Sequence, residues 1–152
     1  MLTLSFIGSD AKVIAWLRSR GSILTAALLV EMQRQMIGLR NYVVASKLSG
    51  QALHTKTGTL RRSQFSDVTQ DGSIIRGVVA TDPSASKYGK VHEFGGTFTV
   101  RAHLRKTRNG HRMLKSHSVT YPERSFLRSS LQERAESIVA GLQAAANKAL
   151  QE

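Results

Sequence analysis

The residues of this sequence best suited to chemistry are His92 and Glu93, which begin like the zinc-binding helix motif HExxH. In that motif two histidines one turn apart share a helix face and bind the metal, while the glutamate acts as general base. Position 96 is Gly96, so the second imidazole is missing. Because the second histidine is missing, His92 and Glu93 do not predict zinc hydrolysis.

Other residue types used in catalysis form no recognisable constellation. His103, His111 and His117 could cluster in space, but no carboxylate lies near them in sequence, and solvated histidines are the simpler interpretation. The chain has neither a G-x-S-x-G nucleophile elbow nor a phosphate-binding G-x(4)-G-K-[ST] loop. Its ten Asp and Glu offer no close pair for a two-metal site, and it has no Cys. The sequence therefore predicts a non-enzymatic protein with no cofactor and no metal.

Basic residues are the strongest compositional feature. The net charge is +12, and residues 101–128 carry eight Lys and Arg against Glu123 alone, a net charge of +7. Such a patch attracts polyanions, so nucleic acid or an acidic protein surface is the expected partner; a solvated face with no partner is the alternative. The candidate contact residues are Arg101, Arg105, Lys106, Arg108, Arg112 and Lys115, with Arg61 and Arg62 upstream. No aromatic residue stands among them for base stacking, which favours backbone or acidic-subunit contacts over sequence reading.

Hydrophobic periodicity predicts helices on both sides of a β-rich middle. Residues 2–6 alternate like a strand or an extended arm, residues 11–18 predict a short helix, and Gly21 is its expected end. A long helix over residues 22–48 and a final helix follow the 3–4 spacing of amphipathic helices. The predicted core positions are Leu29, Met32, Met36, Leu39 and Val43 in the long helix, and Leu127, Leu131, Ile138, Leu142, Ala145 and Ala149 in the final one.

Turn signals divide the middle of the chain into strands. Asp71-Gly72 predicts a hairpin between residues 63–69 and 73–81, and Asn109-Gly110 predicts a second one at residues 101–120. Residues 85–94 predict a short helix or turn between the hairpins, and the alternation of residues 97–104 predicts a strand after it. We therefore expect one α+β domain over residues 1–152: an antiparallel sheet of about four strands, a long N-terminal helix and a C-terminal helix packed on it, and a protruding basic hairpin. Residues 1–21 form its N-terminal arm and short helix.

Three short motifs join these elements. They read T-G-x-L-R-x-S, then Y-x(2)-V-H-E-F-G-G, then P-x-R-x-F-L, and their signature positions are Gly58, Leu60, Tyr88, Glu93, Phe94, Gly95, Pro122 and Phe126. Thr57 or Thr59 can cap a short helix with Leu60 in the core. We expect Phe94 to fill the core and Glu93 to bond to backbone or to an arginine. The glycines permit a reversal, and Pro122, Phe126 and Leu127 form a corner that docks the final helix.

The order and spacing of these motifs over residues 20–150 resemble the neck and tail-completion proteins of long-tailed bacteriophages. That family includes minor tail protein Z of phage lambda and the virion-morphogenesis proteins of Mu-like phages. The resemblance implies a structural protein of the virion neck, assembled in the cytoplasm of the bacterial host. It would form a six-fold ring, complete the tail and join it to the head.

The resemblance also implies a set of partners: further copies of the chain, head-closure or connector proteins, and tail terminator or tail tube proteins. Packaged DNA in the channel is a further candidate for the basic hairpin. No apolar run is long enough to span a membrane, and residues 1–7 are too short for a signal peptide, so we expect an intracellular protein with no membrane partner. A small non-specific DNA-binding protein is the alternative function, and a nuclease is the weakest.

Overall fold

The structure, a computed structural model, describes residues 11–50, 58–72, 74–108 and 110–151, without the side chains of residues 11–18, 86 and 88. The predicted strand or arm at residues 2–6 lies outside the described residues. The elements in chain order are α1 (Ala11–Tyr42), α2 (Thr59–Arg62), β1 (Gln64–Asp71), β2 (Ile74–Thr81), α3 (Ser86–Phe94), β3 (Gly96–Val100), β4 (His103–Thr107), β5 (Gly110–Leu114), β6 (His117–Tyr121) and α4 (Leu127–Gln151).

Helix α1 runs through Gly21 without a break, so the predicted end of a first helix there was wrong. A glycine inside a helix costs only about 1 kcal/mol relative to alanine. Two neighbouring hydroxyls also bond to helix carbonyls: Ser22 Oγ donates to Ser19 O and Thr25 Oγ1 to Gly21 O, each at 2.8 Å. The apolar face further along the helix, with Met36 and Leu39 buried, outweighs this local cost.

A π-helical turn over Val43–Lys47 ends this long helix. Its backbone bonds join residues five apart, and Leu48 N donates to Val43 O at 3.1 Å. In an α-helix, two residues five positions apart point to different faces. The wider π-helical turn brings Val43 and Leu48 closer to the same face. Val43 and Leu48 are accordingly both buried in the same core.

The strands confirm the predicted α+β fold. They do not form the single sheet of about four strands that the sequence predicted. In the described residues they form three two-stranded pairs, β1–β2, β3–β6 and β4–β5. The predicted turn at Asp71-Gly72 is present, with Gly72 at φ +56°. The predicted strand over residues 97–104 is interrupted between Val100 and His103. The later strands therefore continue one ribbon end to end instead of adding to a sheet side by side.

Contacts among residues divide the chain into two compact units. Among the described residues, those up to Gly38, those within Ser66–Val78 and those from Arg134 onward form the first unit, and those within Leu39–Phe65 and Val79–Glu133 form the second. The single domain expected from the sequence stays a prediction. None of the described helices is long and apolar enough to cross a membrane.

Glycines allow close packing in the first unit. A Cβ at Gly77 in β2 would lie 2.7 Å from Met36 Sδ and 2.9 Å from Met32 Sδ, so these α1 side chains rest directly on the strand backbone. A Cβ at Gly141 in α4 would lie 2.8 Å from the Glu31 carboxylate, which brings α4 close to α1. The predicted burial of the long-helix stripe is confirmed at Met36, and Met32 is half-buried.

The core of the second unit consists of Val43, Leu48 and Phe126, with Leu60 and Leu127 packed against it.

The core positions predicted for the final helix are confirmed at Ile138 and Ala149, which are buried. The prediction was wrong for Leu131, which is 51% exposed. Phe126 enters the core just before α4 begins, and Ser130, one turn later, is fully buried. The buried face of α4 therefore starts from Phe126, and Leu131 points to its flank.

Candidate functional site

The four later strands form one long hairpin with a constant register. In β3–β6, Gly96 pairs with Tyr121 and Val100 with His117. In β4–β5, His103 pairs with Leu114 and Thr107 with Gly110. The same register holds on both sides of the interruption, so the two arms carry equal numbers of unpaired residues there, 101–102 and 115–116. The hairpin predicted at residues 101–120 is therefore the outer part of a ribbon that starts at Gly96.

The outer pair of strands carries its cations on both faces. Arg105 stands directly opposite Arg112, and on the other face Lys106 stands opposite His111. Like charges placed directly across a pair of strands repel and destabilise it. The six candidate cations of the hairpin are all exposed: Arg101, Arg105, Lys106, Arg108, Arg112 and Lys115. The hairpin is thus charged all round, as a segment surrounded by anionic groups would be.

Apolar side chains accompany these cations. Leu104 and Met113 pair across β4–β5 on the Lys106 face, and they are 65% and 63% exposed. At the base, Phe98 and Tyr121 are also exposed, with ring centroids 6.0 Å apart. Phosphate backbones offer no apolar surface to match such side chains, whereas protein surfaces do.

Glu93 anchors the base of the hairpin. It is buried near the end of α3, and its carboxylate accepts the backbone N–H groups of Phe126, Leu127 and Arg128 at 2.8, 3.0 and 2.9 Å. Ser125 Oγ donates to it at 2.8 Å. The first amides of a helix have no partner within the helix and carry a partial positive charge, so this carboxylate caps α4 from another element. The prediction that Glu93 bonds to backbone or to an arginine is confirmed, and both kinds of contact are present, the second from Arg128 Nε at 3.3 Å.

The environment of Glu93 favours its ionised form. Burial alone would raise the pKa of this carboxyl, but the hydrogen bonds from the amides of Leu127, Arg128 and Phe126 and from Ser125 outweigh burial and hold the pKa below its usual value. The negative charge is therefore present throughout the neutral pH range.

Gly95 turns the chain from α3 into the hairpin. Its φ is +62°, and a Cβ there would lie 2.7 Å from Glu123 N and 2.9 Å from Tyr121 O. A backbone bond from Arg124 N to His92 O at 2.8 Å closes the same corner. The predicted tight reversal is confirmed, and position 95 admits no side chain without movement of the backbone that follows Pro122.

Phe94 does not fill the core, contrary to expectation, because it is 61% exposed. Glu93 is the buried residue of the last turn of α3, and the helix ends at Phe94, which lies on the exposed side. The Arg128 guanidinium lies 4.9 Å from the Phe94 ring centroid. Arg128 also bonds to Glu93 and Glu123. Its charge is thus locally balanced, and the basic patch reduces to Arg124 and the six cations of the hairpin.

The upstream motif lies on another element. Gly58 occupies the N-cap position of α2 at φ +69°, and Thr59 is the first residue of the helix and not its cap. Thr57 lies outside the described residues. Leu60 packs against the core as predicted. Arg61 and Arg62 are exposed, and Arg62 lines a shallow depression with Asp82 and Ser84. The structure does not pair them with the hairpin cations.

The histidines do not gather into a metal site in the described part of the chain. His103 and His111 lie on opposite faces of the β4–β5 pair by strand alternation, and His117 belongs to the separate β3–β6 pair. No group of three or more His, Cys, Asp or Glu that could hold a metal ion occurs among the described residues. Burial, and to a lesser extent Arg124, lower the pKa of His92, which packs edge-on to Tyr121.

Sequence reasoning missed two contributors to this site, Ser125 and Arg128. Ser125 precedes the helix, and its Oγ accepts from Ser129 N at 3.3 Å while donating to Glu93. A serine before an apolar helical run is a usable capping signal. The side chain of Tyr88 lies outside the described residues.

Comparison of the chain with protein-family models, with curated proteins and with solved structures finds no match.

Proposed function

We propose that this protein is a structural component of the neck of a tailed-phage virion. Copies of the chain form a ring that completes the tail and joins it to the head. Its partners are head-closure or connector proteins on one side and tail terminator or tail tube proteins on the other. Packaged DNA in the channel is the further anion that the hairpin can meet.

The observation that carries the proposal is the exposed basic hairpin held at a buried anchor. Residues of the second and third motifs build that anchor: Glu93 binds Phe126 N at 2.8 Å, and Gly95 packs on Glu123. Leu60 of the first motif joins the same core as Phe126. The three motifs that resemble the phage family thus serve one structural purpose, which is to hold a projecting arm, and this supports an assembly protein.

Deletion of the gene tests the proposal directly. Without a neck protein, we expect lysates to contain filled heads and tails of near-normal length that remain separate, as counted by electron microscopy. Expression of the protein from a plasmid should restore joined particles. Normal infectious particles after the deletion would exclude a role in morphogenesis.

The alternative is a small DNA-binding protein acting alone, favoured by the +12 charge and by cations on both hairpin faces. Such a protein would bind DNA of any sequence, and its affinity would fall steeply with salt because phosphate contacts release counterions. Fluorescence anisotropy with a duplex, at low and at physiological salt, distinguishes the two functions. Tight binding at physiological salt by a monomer favours the DNA-binding protein.

A further inference from the structure

One face of the outer hairpin is partly apolar. Leu104 pairs with Met113 across β4–β5, and the two side chains are 65% and 63% exposed. The next pair on the same face, two residues nearer the tip, is Lys106 with His111, and both of these side chains are exposed. This face therefore places an apolar pair directly beside a polar and basic one.

The opposite face of the same two strands is basic. Arg105 pairs directly with Arg112, and both side chains are exposed. Two cations in this position repel each other, and a carboxylate or a phosphate bound between them would remove the repulsion. The charge of the hairpin thus indicates an anionic partner, and the apolar pair on the other face indicates which kind.

The Leu104–Met113 pair favours a protein over a nucleic acid as that partner. A phosphate backbone is bound by cations and hydrogen-bond donors, and the side chains of leucine and methionine supply neither. Protein interfaces bury an apolar centre within a polar rim, and methionine and arginine are enriched in them. An exposed apolar pair with Lys106 beside it matches such an interface.

A second copy of this chain does not fit the charge of the hairpin. The chain has a net charge of +12, so another copy would on balance repel a basic arm. Several of its carboxylates also bond to cations within the chain. Glu93 and Glu123 bond to Arg128, and Glu133 bonds to Lys47. The expected partner is therefore a different, acidic protein.

We propose that the outer hairpin docks in a cleft of an acidic protein. The Leu104–Met113 pair packs on an apolar patch on one wall of the cleft, and Arg105 and Arg112 bond to carboxylates on the other. The inference rests on the proposed function, because it names the class of neighbour that the hairpin meets in the neck.

Binding to polyanions of defined composition tests the apolar contact. The probes are polyglutamate, a random glutamate–tyrosine copolymer of equal length and a DNA duplex, each labelled and titrated with the whole protein at physiological salt. Charge alone predicts weaker binding to the copolymer, because tyrosine replaces some of its carboxylates. We expect the opposite, a several-fold tighter binding to the copolymer than to polyglutamate.

Removal of the apolar pair should abolish this preference. The double variant Leu104→Thr/Met113→Thr keeps every cation, and threonine favours strands, so circular dichroism should not change. Its affinity for the copolymer should fall several-fold, while its affinities for polyglutamate and for the duplex stay the same. Ile74→Thr/Val78→Thr is the matched control, because these two residues of β2 are 60% and 40% exposed, and it should keep the preference.

The outcomes separate the contact from the neck function. No preference for the copolymer, or a preference that survives Leu104→Thr/Met113→Thr, would overturn the proposed contact. Weaker duplex binding by that variant would assign the pair to DNA and overturn the contact as well. The expected preference together with normal particles after gene deletion would keep the contact and reject the neck function. No preference together with unjoined heads and tails would do the reverse.

Discussion

Glu93 illustrates how one buried carboxylate can organise two elements that are far apart in sequence. It lies in α3, yet it accepts hydrogen bonds from the amides of Phe126, Leu127 and Arg128 at the start of α4. The whole basic hairpin lies between these two points in the chain. The same contact therefore fixes the first turn of the last helix and closes the base of the hairpin.

Replacement of Glu93 should be costly. Glu93→Ala leaves amides at the start of α4 without their acceptor, and we expect a loss of about 2–4 kcal/mol in the free energy of unfolding. Urea unfolding followed by circular dichroism measures the loss. Glu136→Ala, at an exposed carboxylate of the same helix, is the matched control and should change the stability by less than about 0.5 kcal/mol.

The pH dependence of stability follows from the lowered pKa of Glu93. A carboxyl whose pKa is lower in the folded state stabilises the protein fully above its unfolded pKa of about 4.3, and this contribution is lost as the pH falls through the folded value. The stability difference between the protein and Glu93→Gln should therefore shrink from about pH 6 to about pH 3. A difference that stays constant with pH would contradict the assigned hydrogen bonds.

Two glycines make a matched pair for testing backbone conformation. Gly95→Ala forces a Cβ against Glu123 N at φ +62°, so we expect destabilisation by about 1–3 kcal/mol or more. Gly21→Ala enters a helix at a position with no atom within 4 Å, and should stabilise the protein by up to about 1 kcal/mol. Thermal melting of both variants checks the opposite signs.

At the scale of elements, the long helix depends on Met36 and its neighbours. Met36→Asp places a charge against the β2 backbone at Gly77, and we expect a loss of several kcal/mol in the free energy of unfolding. Gln33→Asp is the control, because residue 33 is exposed on the same helix. Equal melting temperatures for the two variants would show that α1 does not pack through this face.

Local signals in the sequence predicted most of the elements, and tertiary packing decided what they missed. The Asp71-Gly72 turn and the helix before Gly95 depend on backbone preferences that are local, so they were predictable. Which face of α4 is buried depends on where Phe126 enters the core, and that made Leu131 wrong. The sequence also predicted that Phe94 fills the core, whereas the structure buries Glu93. The cause is similar, because a buried carboxylate is favourable only where several amides converge on it, and that depends on tertiary packing.

At the scale of the whole molecule, positive charge is concentrated on one element, the hairpin, where exposed apolar side chains such as Leu104 and Met113 also lie. The hairpin carries six Lys and Arg and no acidic residue between positions 101 and 120. Further exposed apolar side chains, such as Val30, Ile37 and Val139, lie on the two long helices. A protein that assembles with copies of itself and also meets an anionic partner needs two such kinds of surface, and the proposed function uses both.

The quadruple change of Arg105, Lys106, Arg108 and Arg112 to Ser separates these surfaces. All four side chains are exposed, so the fold should persist, as judged by circular dichroism and melting temperature. Head–tail joining should fall sharply, while the yield of folded protein should not change. An unchanged joining yield would assign the hairpin cations to a solvated surface.

The constant register of the hairpin makes its length an adjustable quantity. The anchor at Glu93 and Gly95 contacts only the base, where Gly96 pairs with Tyr121, so strand pairs nearer the tip can be removed without disturbing it. Each strand residue spans about 3.3 Å, so deletion of two residues from each strand shortens the arm by about 7 Å and keeps every side chain on its face. Deletion of one from each strand shortens it by half as much and exchanges the two faces of the tip. The ribbon can therefore serve as a molecular ruler whose reach and orientation vary independently of the fold that supports it.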